Sequence, residues 1–376
     1  MPSSLPAMIE TMTSSPRRHR NSPRLQLAVL AGRTAATVSR MAGKGSGASI
    51  RGRVTMKLAP TALPELLAGR RIASVTGTNG KTTTTHFLTA AVRAGTPDSQ
   101  RTVVTNADGA NLHHGIVSAL GQAPDANIAV LETDERVVAD IVAMGTPEVL
   151  VLLNFSRDQL DRNHELAFLG RDWRAALEKA AEHGPTVVAN ACDPLIVWVC
   201  QKARHVIWVD TKPRWTADST LCPNCGAVLT HGNQGWDCPG CELQQPAADW
   251  WVEDHDAVEA SGRRFHLDVQ VPGSFNLTNA TCALAAAIHM GIQPEDALRG
   301  IATVVSPAGR YATCTISGTR CRLLLSKNPA GWTESLPLTA SDPLVLAIDA
   351  VAADGKDVSW LWDVDYEQLA GRTVIC

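Results

Sequence analysis

No stretch of this 376-residue sequence approaches the ~20 consecutive apolar residues that a membrane-spanning helix requires, so no such helix is expected. The run Leu25–Leu30 is flanked by basic residues but is too short for a signal h-region. No small-residue cleavage site follows it, and secretion is not expected. No internal repeat is visible. Acids are almost missing from the first 57 residues, where ten Lys/Arg stand against Glu10 alone, a net of +9. The remainder holds 24 Lys/Arg against 36 Asp/Glu, so the overall −3 conceals a basic tail on an acidic body. Residues 1–24, rich in Ser, Pro and Arg without hydrophobic periodicity, read as a disordered extension. A tail of this charge can reach an acidic lipid surface.

Ten cysteines are too few for a disulfide scaffold of this length. Four form two CxxC pairs and six are scattered, a pattern that suits a reducing compartment, and hence the cytoplasm, with one metal site. Cys222-Pro-Asn-Cys225 and Cys238-Pro-Gly-Cys241 make two knuckles separated by twelve residues. Each can offer two thiolates from a tight turn, and a tetrahedral Zn²⁺ needs four. With four cysteine ligands the site is closed and structural. No Lys or Arg lies between Cys222 and Cys241, which argues against nucleic acid as a partner.

A hydrophobic content of 45% supplies sizeable cores, and the length fits two or three domains. Leu25–Met41 has helical spacing of apolar residues with a basic face, and residues 43–49 read as a flexible break. From Arg71 onward short β-branched runs alternate with helical patterns. Strands are expected at Ile72–Val75, Thr102–Thr105, Ile128–Leu131, Val149–Leu153, Thr186–Ala189 and Val206–Val209, with helices at Thr82–Arg93 and Leu166–His183. This alternation predicts a buried, mostly parallel sheet. Residues 213–248, polar and rich in Cys, Pro, Gly and Trp, interrupt it as an insertion. Strand-like Trp250–Val252 and Arg264–Val271, then helical Phe275–Met290 and Pro294–Val304, follow. A third segment opens near Arg310, with strands at Cys321–Leu325 and Leu344–Ile348.

The stretch Thr76-Gly77-Thr78-Asn79-Gly80-Lys81-Thr82-Thr83-Thr84 lies between a strand and a helix, the setting of a phosphate cradle. Its glycines permit a tight turn with N–H groups facing an anion. The helix N-terminus adds about half a positive charge, and Lys81 neutralises the terminal phosphates. Thr82 is placed to ligate Mg²⁺. Only two residues separate Gly77 from Gly80, where the general motif has four.

This compact loop resembles that of the Mur ligase superfamily, ATP-dependent enzymes that build the peptidoglycan stem. The resemblance implies nucleotide contacts from Gly77, Thr78, Asn79, Gly80, Lys81, Thr82 and Thr83. Leu131-Glu132-Thr133-Asp134-Glu135 ends a strand, where Glu132 can reach the same Mg²⁺. Gly273-Ser274-Phe275-Asn276-Leu277-Thr278-Asn279 is similar to the family's Gly-x-x-Asn-x-x-Asn contact, which implies that Asn276 and Asn279 touch the nucleotide.

Three departures sort the chain within the superfamily. Gln159 stands where amino-acid-adding members carry a metal-serving His, and no Lys that could be carbamylated occurs between Arg157 and Lys179. Lys327 replaces the His of an Ala-His-Asn-Pro turn in Ser326-Lys327-Asn328-Pro329. Cys192 takes the first place of an Asp pair in Asn190-Ala191-Cys192-Asp193-Pro194. The first two departures, together with Asp354-Gly355-Lys356-Asp357-Val358-Ser359-Trp360-Leu361-Trp362-Asp363, resemble the MurT branch, over roughly Leu25 to Cys376, whereas Cys192 departs from that branch's usual pattern as well. That branch is the ligase-like subunit that works with a glutaminase, GatD, on lipid II. It implies that Asp354 or Asp357 completes the partner's Cys–His catalytic set, and that the four-cysteine ribbon is an insertion in the middle domain.

The reading is therefore an α/β protein: a Mur ligase-type P-loop ATP-binding domain at 25–309 with a zinc ribbon inserted at about 213–248, then a smaller C-terminal domain at 310–376. Because the chain stops inside the strand-like Thr373-Val374-Ile375-Cys376, that last domain is read as incomplete. The implied reaction is ATP-dependent amidation of the D-glutamate α-carboxylate of lipid II, with catalytic weight on Lys81. Two rivals are a stand-alone amino-acid-adding ligase and a catalytically impaired nucleotide-binding scaffold. The basic tail implies peripheral contact with the inner membrane leaflet.

Overall fold

Strands rich in apolar residues and buried at successive positions must be covered on both faces. Four such runs form the centre of the protein: β1 (Arg71–Thr76), β3 (Ile128–Glu132), β4 (Val149–Leu152) and β5 (Thr186–Asn190), each buried along almost its whole length. β2 (Val103–Thr105) and β6 (His205–Val209) flank them. In this computed structural model the described residues are 22–41, 47–107, 110–156, 163–232, 235–305, 311–339, 342–348 and 359–376.

All six strands run parallel. The insertion contributes a small hairpin, β7 (Thr230–Gly232) and β8 (Gly235–Asp237). Beyond it, β9 (Trp250–Glu253), β10 (Asp256–Glu259) and β11 (Arg264–His266) extend the main sheet, antiparallel to one another. The resulting nine-stranded order is β11-β10-β9-β6-β5-β4-β1-β3-β2.

Alternate side chains along each strand feed opposite cores. Ala73 and Val75 point to the layer containing Lys81–Ala94, Ser274–His289 and Pro294–Ala302. Ile72, Ala129 and Leu131 point to the other layer, built from Pro23–Met41, Ala62–Leu67, His113–Leu120 and Val138–Gly145. Leu150, Leu152, Val187 and Ala189 pack with Trp173 and Ile196 under Asn163–Ala180 and Pro194–Cys200. The Ala-rich Ser274–His289 helix has small side chains on nearly every face, so it lies close against the sheet.

The C-terminal segment forms a hairpin, Tyr311–Ile316 with Thr319–Leu324, and a short parallel pair, Leu344–Val345 with Val374–Ile375. Leu336, Val364 and Leu369 make its small core, with Trp332 and Tyr366 packed against it.

The six expected strands and the two long helices around them are present, with ends shifted by up to about three residues. Most of the break expected at 43–49 lies outside the described residues, and a helix already starts at Ala48 behind Gly47 in the left-handed region (φ 74°). The helices Ala48–Leu58 and Ala62–Leu67 and the strands Asp256–Glu259 and Tyr311–Ile316 were not foreseen. Both strands alternate polar and apolar residues weakly, since each has a face near solvent.

Helix Pro294–Ala302 touches Lys81–Ala94 through Gly300, where an added Cβ would fall inside the van der Waals shell of the Ala90 carbonyl. Alanine would ordinarily gain about 1 kcal/mol in helix propensity. Here the backbone clash wins, and Gly300→Ala is expected to destabilise by about 1–3 kcal/mol, read as a lower urea midpoint at unchanged slope.

Candidate functional site

The chain leaves β1 at Thr76 and turns through Gly77 and Gly80, both at positive φ (137° and 84°), before Lys81 opens the helix. Neither glycine has room for a side chain. A Cβ on Gly77 would sit 2.9 Å from the Asn154 amide nitrogen, and one on Gly80 would sit 2.8 Å from Asn279 Oδ1. The cradle is thus closed by backbone on one side and by an asparagine on the other, and the Thr78 amide donates to the Asn154 carbonyl at 3.0 Å.

Asparagines hold this loop from three directions. The Asn79 amide donates to Asn154 Oδ1 at 2.9 Å, and Asn154 Nδ2 donates back to the Asn79 carbonyl at 3.1 Å. Asn279 Nδ2 donates to Asn276 Oδ1 at 3.1 Å, which fixes both side chains beneath Gly80. Asn328, fully buried in the C-terminal segment, donates from Nδ2 to Asn79 Oδ1 at 3.1 Å. Lys81 is buried too. Its ammonium donates to the carbonyls of Gly77 and Thr78 and pairs with Glu135 at 2.8 Å.

Glu132 ends β3, beside β1, and is 2% exposed. Asn106 brackets its backbone, accepting from the Glu132 amide at 2.8 Å and donating to its carbonyl at 2.8 Å. Asn111 Nδ2 donates to Glu132 Oε1 at 3.0 Å. Thr82 is buried one residue into the helix. A buried carboxylate and a hydroxyl at the same sheet edge suit a hard divalent cation.

A cleft runs from this loop along the C-terminal ends of β1, β4, β5 and β6. It is lined by Thr78–Thr83, Leu153–Ser156, Asn190, Cys192, Asp193 and Thr211, and roofed by Ala330, Gly331 and Glu334. Ligands bind at this edge in open parallel sheets.

The four cysteines of the insertion also converge. Cys222 Sγ lies 3.6 Å from Cys241 Sγ, and Cys225 Sγ lies 3.4 Å from Cys238 Sγ; all four sulfurs fall within 4.8 Å of one another. None forms a disulfide. Tetrahedral zinc at ~2.3 Å from each thiolate needs sulfurs roughly 3.8 Å apart, which this cluster meets.

With this geometry in hand, two sequence profiles match: the Mur ligase middle domain over residues 75–287 and the MurT ligase C-terminal domain over residues 325–376. The lipid II isoglutaminyl synthase (glutamine-hydrolyzing) subunit MurT of Streptococcus pneumoniae is 30% identical over 374 residues, covering 93% of this chain and 82% of that protein. The chain belongs to the MurT family. The Staphylococcus aureus MurT subunit is 28% identical, over 89% of this chain and 80% of its own length. Among solved structures, a pseudomurein peptide ligase type C from Methanothermus fervidus aligns with TM-score 0.56 at 18% identity, covering 81% of this chain and 67% of that one. MurF from Acinetobacter baumannii aligns at 0.56 and 15%, covering 83% and 63%. The last two show the fold.

In this chain the loop residues Thr78–Thr83, Asn276 and Asn279 line one cleft, Gly77 forms the turn before them, and Glu132 lies on the strand next to β1. Asp354, Asp357 and Gln159 lie outside the described residues. Sequence reasoning missed five contributors. Glu135 follows Glu132 by three residues and was visible as a second acid. Asn328 sat inside a motif already singled out, and Asn154 lies two residues past the end of β4. The stalk residues Trp215 and Asp218 carried no local signal.

Cys192 donates to Asp210 Oδ1 at 3.0 Å, and burial together with that carboxylate pushes its thiol up to about 12. It is no nucleophile. Asp193 next to it accepts from the amides of Leu195, Ile196 and Phe155, joining the start of Pro194–Cys200 to the loop after β4. Burial pushes its carboxyl up to about 6 against the opposing amides. Its folded value lies above the unfolded one, so its contribution is full at low pH and is lost as pH rises through about 6. The stability gap between the native chain and Asp193→Asn is therefore expected to widen as pH falls from about 7 to about 5, measured by urea titration.

Proposed function

We propose that this chain is the ligase subunit of a lipid II isoglutaminyl synthase. The observation that carries this is the match to MurT subunits over 93% of the chain, across both the middle and C-terminal regions. The reaction is amidation of the D-glutamate α-carboxylate of the lipid II stem, with ATP consumed and ammonia supplied by a GatD-type glutaminase.

The carboxylate attacks the terminal phosphoryl group of ATP, giving an acyl phosphate and ADP. Ammonia then adds to the acyl carbon, phosphate leaves, and a proton is lost to give isoglutamine. Lys81 and the loop amides hold the phosphates in line and stabilise charge that moves to the leaving oxygen. Lys81 already has three oxygen partners, so an arriving phosphate replaces Glu135 as its counter-ion, within a site that excludes water. Thr82 and Glu132 are the residues to hold Mg²⁺, which when bound neutralises the bridging phosphate charge. Asn276 and Asn279 complete the nucleotide wall. Ammonia needs no amino-acid pocket, in keeping with Gln159 and Lys327 in place of the family's histidines. Asp354 or Asp357 serves the glutaminase. Zn²⁺ in Cys222, Cys225, Cys238 and Cys241 is structural.

Incubation of the chain and a GatD-type glutaminase with lipid II, ATP, Mg²⁺ and glutamine is expected to lower the lipid II mass by about 1 Da, and Lys81→Ala to abolish the change. ATP binding without any mass change would favour the scaffold reading instead.

No described helix is long and apolar enough to cross a membrane. Peripheral contact is part of the proposal, because lipid II is membrane-embedded. Helix Pro23–Met41 supports it: Leu27, Leu30, Val38 and Met41 face outward, with Arg33 and Arg40 beside them. Deleting residues 1–24 is expected to lower co-sedimentation with anionic vesicles, and undiminished binding would reject this role.

A further inference from the structure

The four-cysteine insertion does more than decorate the sheet. Its stalk, Pro213, Trp215, Asp218 and Ser219, lines the same cleft as the phosphate loop. These residues stand at the far end of that cleft, with Asn190, Cys192 and Thr211 at the ends of β5 and β6. Between β1 and β6 lie two strands, β4 and β5, so at about 4.8 Å per strand the two ends of the cleft are roughly 14 Å apart. An extended nucleoside triphosphate anchored by its phosphates at Lys81 reaches that far with its base. Trp215 is half-buried there, and its Nε1 donates to Asp218 Oδ2 at 2.6 Å, which sets the indole. Among the described residues no other aromatic ring stacks on it.

The ribbon fixes this stalk. His231 Nε2 contacts the Ser219 carbonyl at 2.8 Å, and the Leu229 amide donates to the Thr220 carbonyl at 2.9 Å. Trp236 and Gln245 bind across to β5's exit, Nε1 to the Ala191 carbonyl at 3.3 Å and Nε2 to Cys192 Sγ at 3.6 Å. Leu229, Trp236 and Leu243 share a small core with Val197 and the cysteines. That core is too small to hold without the metal its thiols suit.

We propose that the insertion is part of the nucleotide site: Trp215 stacks on the base, Asp218 accepts from the ribose hydroxyls, and the metal-held ribbon keeps both in place. This rests on the phosphate-loop reading above, and tripolyphosphate separates the two. It occupies the loop but has no base.

The test titrates the full metal-loaded chain with Mg-ATP and with Mg-tripolyphosphate by calorimetry. Trp215→Ala is expected to weaken ATP about tenfold, the scale of one base–aromatic stack, while tripolyphosphate affinity stays within about twofold. Cys225→Ser with Cys241→Ser is expected to lose bound metal, measured by elemental analysis, and to show the same ATP-only loss. Equal losses on both ligands, or an unchanged ATP affinity in Trp215→Ala, would overturn the proposal. A metal-free double variant with native ATP affinity would remove the ribbon from it. A native chain that binds neither ligand would overturn the phosphate-loop reading as well.

Discussion

Everything at the nucleotide cleft depends on how closely the phosphate loop is pressed against its neighbours. At Gly77 and Gly80 there is no space for even one carbon beyond the backbone, since Asn154 and Asn279 occupy it. The loop does not hold this shape through its own hydrogen bonds, since the amides of Thr78 and Asn79 donate outside it, to Asn154. Side-chain amides from outside the loop do so instead. An Asn carries both a donor and an acceptor, so Asn154 can accept from one backbone group of Asn79 and donate to the other. The carboxylate of Asp or Glu could do only half of this, and would add a negative charge where phosphates must bind.

The same economy governs charge. Lys81 is buried with two carbonyls and Glu135, so its ammonium is satisfied before any ligand arrives. An unpaired ammonium at that depth would lower its own pKa or open the site to water. Glu135 is therefore the counter-ion that lets the Lys81 ammonium stay buried. Glu132 faces a related problem and is held through Asn106 and Asn111, neutral groups that orient a carboxylate without cancelling it.

Local pattern made much of this readable. The β-branched runs fixed the sheet because strands buried on both faces admit little else, and the glycine spacing before Lys81 marked the cradle because only glycine adopts those φ values at no cost. The CxxC pairs were legible because two tight turns are the compact way to bring four thiols together. The contacts that close the cleft were not legible. Asn328 meets Asn79 across 249 positions of sequence, and nothing near either residue encodes that meeting. Trp215 and Asp218 sat in a polar stretch that looked like a spacer. The helix at Ala48–Leu58 was hidden by mixed composition, since it buries only part of its surface against Pro23–Met41 and His113–Leu120, and Ala62–Leu67 is too short to show a helical period.

The cleft is assembled from three pieces of chain that share no local structure. The sheet supplies its floor, the insertion its far wall, and the C-terminal segment its roof. Among the described residues, contacts fasten the roof at both ends. Asn328 fastens it to the loop at the phosphate end, and Glu334 takes the Arg214 amide at 3.3 Å and its guanidinium at 3.8 Å at the stalk end. Burial raises the Glu334 carboxyl against the pull of Arg214, so this second contact is held under tension between desolvation and charge. Such a pair is weaker than the asparagine clamp, whose neutral groups lose little on burial when fully hydrogen-bonded. The C-terminal segment is thus held to the loop by a neutral contact and to the insertion by a charged one.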